Sequence, residues 1–144
     1  MRFYTFIEFH LEEILNEWDK FAETLFSNNK PRYLLRDHAS EMVLELMADM
    51  KTTQSAQAQV DKSKGVASPF HHSDNAASIH GIMRQNEGFT VSELAAEFRA
   101  LRATILRLWL PKIDVMSKEV ITDVVRFNEA IDEALADSIT AHAC

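Results

Sequence analysis

Six histidines stand in the 144-residue chain, and three of them crowd with one acid into a short stretch, as His71, His72, Asp74 and His80. Imidazole and carboxylate are common ligands of borderline metals, but recognised sites repeat at fixed spacings such as H-E-x-x-H or paired cysteines. Neither pattern occurs, so these side chains read as solvated loop residues and no metal site is expected. His38 and His80 differ, because each falls in a helical stretch beside apolar residues. Either could be an axial ligand to haem iron within a helical core. The plainer reading makes each a core or interhelical hydrogen-bonding histidine. A carboxylate di-iron bundle would need E-x-x-H pairs facing inward, and no E-x-x-H occurs. No Ser/His/Asp or Cys/His nucleophile set is apparent, and the single cysteine, Cys144, cannot close an internal disulfide.

Arg99, Arg102 and Arg107, with Lys112, give residues 89–112 four bases against two acids, inside a chain of formal net charge −7. They could meet an anionic ligand or a partner, while Arg84, Glu93 and Glu97 lie near enough in sequence for internal ion pairs instead. The acidic total argues against general nucleic-acid binding, which needs Lys and Arg to replace condensed counterions. Met42, Met47 and Met50 give one helix an adaptable face, read as core filling. A histidine kinase phosphoacceptor needs a His followed by an acid and, soon after, a proline. His38 is followed by Ala39 and Ser40, and no glycine-rich ATP lid exists. The chain therefore holds no kinase site and is expected not to be an enzyme.

The elements that must position these residues are helices. Three glycines and three prolines among 144 residues make about 4% of the chain, against roughly 12% in average usage. Hairpin-rich sandwiches and phosphate loops consume both residue types at every turn, so both classes are close to excluded. Ile7, Leu11, Ile14, Trp18, Phe21 and Leu25 step by four and three, which predicts an amphipathic helix ending near 27–31. A second helix is expected from Pro31 to Met50, with Leu35, Ala39, Met42, Leu46 and Met50 on one face, packed antiparallel to the first. Residues 51–64 read as polar with one weak helix, and 65–72 as a loop. Another helix is expected over 73–86, capped by Ser73 or Asp74 and ended by Gly88. Thr90 and Glu93 form a T-x-x-E capping box ahead of Leu94, Phe98, Leu101, Ile105 and Leu108, in a helix closed by Pro111. The breakers Pro31, Gly65, Pro69, Gly81, Gly88 and Pro111 fall mostly at helix junctions.

A last helix is expected from Lys118 to about Ala141, with Val120, Val124, Phe127, Ile131 and Leu135 on one stripe and acids around them. No glycine or proline follows Pro111, so this helix is expected to run on as an exit from the domain. Its stripe is the expected dimer or coiled-coil seam. The fold class is thus all-α: an antiparallel helical bundle with a core at residues 1–117 and an exit helix at 118–144. No leading basic and apolar run marks a secretory signal and no membrane span is found, so a reducing, cytoplasmic setting is expected.

Several segments taken together resemble a known family. Leu35-Arg36-Asp37-His38-Ala39, Ala48-Asp49-Met50 with Thr53 and Gln54, Lys62-Ser63-Lys64-Gly65, Ala76-Ala77 with His80-Gly81 and Arg84, Gly88-Phe89, Glu97-Phe98-Arg99-Ala100-Leu101-Arg102 and Leu108-Trp109 are similar to the amino-terminal domain of RsbRD-type stressosome proteins. The most similar version sits at the front of bacterial sensor histidine kinases, and the resemblance covers about residues 5–140. In such kinases the Phe127–Asp132 segment leads through a connecting helix into the dimerisation and phosphoacceptor domain. The resemblance implies a cytoplasmic sensory domain of a two-component sensor histidine kinase, a homodimer whose partner is the downstream kinase core. It also implies a globin-like fold that dimerises and holds no haem. The alternatives are a haem- or small-ligand-binding globin-like sensor, with His80 or His38 on the iron, and a stressosome-like interaction scaffold, with Arg99 and Arg102 at the contact.

Overall fold

A computed structural model describes residues 1–25, 32–51 and 76–143, and places five α-helices and one short 3-10 turn among them, with no strand. Helix α1 spans Phe3–Leu25, α2 Arg32–Lys51, α3 Ala76–Asn86, α4 Val91–Trp109 and α5 Lys118–Ala143, with the 3-10 turn at Leu110–Lys112. The all-α class expected from the shortage of turn residues is the class observed. The expected breaks at 27–31, the weak helix at 51–64 and the loop at 65–72 lie outside the described residues.

Helix α1 begins four residues ahead of its apolar stripe, at Phe3, although Met1 and Arg2 offer no local cap. The cap comes from α5. Asp123 accepts the Phe3 amide at 3.0 Å and both the Nε and an Nη of Arg2 at 2.7 and 2.9 Å, satisfying an orphan donor at a helix end where negative charge is favoured. Three residues on, Arg126 donates to the Met50 carbonyl at 2.7 Å and closes the end of α2. One stretch of α5 thus ties the start of α1 and the finish of α2. In the same way the first amide of α3, at Ala76, is held by Glu45 of α2 at 2.8 Å.

The α3–α4 junction follows its sequence signals closely. Gly88 takes the left-handed conformation at φ 82°, its amide bonds Gln85 and that of Phe89 bonds Arg84, the paired bonds of a Schellman close. Thr90 then caps α4: its hydroxyl accepts the Glu93 amide at 3.1 Å and Glu93 accepts the Thr90 amide at 3.0 Å. Gly81 is not a break. It lies inside α3 and meets α5 so closely that a Cβ there would fall 2.1 Å from the Ser138 carbonyl oxygen.

Trp109, Phe3 and Phe127 form the aromatic centre, with ring centroids 5.1 to 6.4 Å apart, joining α4, α1 and α5. Around them pack Phe6, Ile14 and Trp18 of α1, Met42, Val43 and Leu46 of α2, and Leu94, Leu101 and Ile105 of α4. The α5 stripe expected to be a dimer seam belongs to this core instead. Val120, Phe127 and Ile131 are buried in it, and Val124 and Leu135 pack partly buried against it. Helix α5 touches all four other helices, so the residues after 117 complete the core that precedes them. The physical reason is simple: an apolar stripe is buried by whatever apolar surface is nearest, and here α1, α2 and α4 supply it.

Candidate functional site

His80 and Arg84 lie one turn apart on α3, and both reach Glu97 on α4. Arg84 grips the carboxylate with two bonds, Nε to Oε1 at 2.6 Å and Nη2 to Oε2 at 3.0 Å, while His80 Nε2 lies 3.1 Å from Oε2. The remaining Arg84 Nη1 donates to Glu87 at 3.0 Å. His80 and Arg84 are 0% exposed and Glu97 is 1% exposed. Burial pushes the Glu97 carboxyl up, but the His80 bond and charge, then those of Arg84, outweigh it and hold the pKa below the ordinary value. An ionised carboxylate only accepts, so His80 carries its proton on Nε2 and donates. Aromatic rings close the cluster: Phe98 meets the His80 ring edge-on at 5.9 Å, and Phe89 lies 4.8 Å from the Arg84 guanidinium carbon.

With all three groups shut from solvent, this cluster offers nothing to a diffusing substrate. Its work is to fix α3 against α4. A paired buried charge holds only while every partner stays, so the contact opens as a unit or not at all.

A second feature lies at the first turn of α3. Met42, Leu46, Ala77, Ala130 and Ala134 line an apolar groove between α2, α3 and α5, with Glu45, Glu133 and Asp137 also on its wall. The space within is about 20 Å³, room for roughly one water molecule.

Of the residues singled out from sequence, His80 takes the interhelical hydrogen-bonding role, and an iron at its Nε2 would have to take the place of Glu97. His38 lies on α2 with its side chain outside the described residues, as do His71, His72 and Asp74 altogether. Among the described residues no group of three potential ligands could hold a metal ion. The arginines do not converge on an anion. Arg102 pairs with Asp132 of α5, Arg107 with Glu17 of α1 at 3.1 Å, and Arg99 faces solvent. No described helix is long and apolar enough to cross a membrane.

Glu97, Arg84 and Asp123 carry more of the structure than the sequence reading gave them. Their signal was positional. Glu97 lies three residues after Leu94 and beside Phe98, Asp123 three after Val120, each a charge on an inward-facing stripe.

Comparison with protein-family models, with curated proteins and with solved structures gives no match to this chain.

Proposed function

We propose that this chain is a cytoplasmic, dimeric input domain of the kind that precedes a sensor histidine kinase core, and that it passes a signal along α5. The RsbRD-like segments motivate the reading. The observation that supports it best is the position of α5: it packs against α1, α2, α3 and α4, so a change in any of them meets the same helix. While its inner stripe is spent on the core, α5 still shows Ile121 and Val125 to solvent at 49% and 41% exposure, one turn apart. Those two residues replace the inner stripe as the proposed contact between copies. The chain acts as a lever and leaves the phosphotransfer chemistry to the part it is joined to.

Register tests the lever. The chain is fused through residue 144 to a dimeric kinase core, with zero to seven residues inserted at the joint. A helix-borne signal makes autophosphorylation vary with insertion length and return near seven residues, about two helical turns. Output that falls smoothly or ignores insert length overturns the reading.

A further inference from the structure

The last turns of α5 are fastened by two residues one turn apart, Ser138 to the first turn of α3 and His142 to the α3–α4 junction. The Ser138 hydroxyl donates to the Ala77 carbonyl, beside the close approach that Gly81 permits. His142 Nε2 lies 2.6 Å from the Phe89 carbonyl oxygen. A carbonyl only accepts, so His142 is the donor. Phe89 is the first residue beyond the left-handed Gly88, and its ring lies against the Arg84 guanidinium. Arg84 in turn is held by Glu97, which also binds His80. Every step from His142 through Phe89, Arg84 and Glu97 to His80 is a direct contact.

We propose that this series of contacts is a latch: the last turn of α5 is held to the bundle while the Arg84–Glu97–His80 cluster is assembled, and is released when the cluster opens. The turn that presents the Phe89 carbonyl is fixed by the Gly88 close and by the Phe89 ring lying against Arg84. Removing the Glu97 charge leaves the buried guanidinium with Glu87 as its remaining carboxylate, and it relieves that state by moving toward Glu87 and water. The same movement takes away the surface against which Phe89 rests and carries the carbonyl off His142. Terminal turns of helices open most easily in a folded chain, so one hydrogen bond there decides whether the end is ordered. Such coupling is reciprocal, and loosening His142 must loosen the turn. As a signalling device the latch rests on the function proposed above; as a coupling within one chain it does not.

Amide hydrogen exchange on the chain tests it. His142→Ala should speed exchange at residues 87–90 as well as 138–143, each by about fivefold, the scale of one lost net hydrogen bond. Glu97→Gln should speed exchange at 138–143 by a larger factor than at amides near the middle of α1, which report the loss of global stability alone. The two substitutions together should add little at 138–143 beyond the larger single effect, because both release the same contact. If Glu97→Gln loses the fold, Phe89→Leu, which takes the ring off the Arg84 guanidinium and leaves the charges paired, takes its place with the same expected result at 138–143. Effects of His142→Ala confined to α5, or a double variant whose effects sum, overturn the latch. Summed effects in a chain that still dimerises overturn only the latch, whereas a strictly monomeric chain with coupled exchange overturns only the proposed function.

Discussion

Glu97 keeps its charge in a place where burial alone would neutralise it, and that makes it the most consequential single side chain described. Removing one member of a buried, paired set costs about 3–5 kcal/mol, because the charge left behind has no water to return to. Glu97→Ala should lose stability on that scale in urea titration, whereas Asp132→Ala, which removes an exposed partner of Arg102, should cost about 1 kcal/mol or less. The same residue sets an acid limit. Its folded pKa lies below its unfolded one, so its stabilisation is complete above the unfolded value of about 4.3 and disappears as pH falls through the folded value. Circular dichroism against pH should show wild-type stability falling steeply below about pH 4, with a shallower fall in Glu97→Gln. Equal slopes would contradict this assignment. In the sequence, Glu97 was visible as a candidate ion-pair partner but its burial was not, since period alone cannot tell a charge admitted to the core from one at the edge of a stripe.

At the scale of elements, local chemistry was readable and remote chemistry was not. Thr90 with Glu93 and the glycine at 88 announced the α3–α4 junction, because the groups that satisfy its backbone lie within a few residues. The start of α1 depends on Asp123 and the start of α3 on Glu45, partners that only folding brings near. Gly81 shows the same limit, since a glycine in a helix reads as a weakness until the helix it touches is known. Ala gains about 1 kcal/mol over Gly in intrinsic helix propensity, yet Gly81→Ala sets a methyl group against the Ser138 backbone. The variant should be less stable than wild type by about 1–3 kcal/mol, the usual cost of overpacking, with a lower thermal midpoint. A rise in the midpoint would mean that α3 and α5 do not approach so closely. Thr90→Ala should cost about 1 kcal/mol by the same assay.

For the whole molecule the decisive fact is where α5 spends its apolar residues. The stepping of Val120, Val124, Phe127, Ile131 and Leu135 was legible as one face of a helix; what that face met was not, since a core stripe and a coiled-coil seam share nearly the same period. The described helices answer with the core: Phe127 meets Phe3 and Trp109, and Ile131 is 1% exposed. On the function proposed, a signal carried by α5 would pass through the packing of the bundle itself, and contact with a second copy would fall to its outer face.

Sedimentation velocity on wild type, Val125→Asp and Ile131→Asp tests that division most directly. Wild type should sediment as a dimer at micromolar concentration and Val125→Asp as a folded monomer with its helical signal retained. Ile131→Asp should lose helical structure altogether, because it puts a charge into the core. A wild type that stays monomeric, a Val125→Asp that stays dimeric, or an Ile131→Asp that merely falls to a folded monomer would contradict the account.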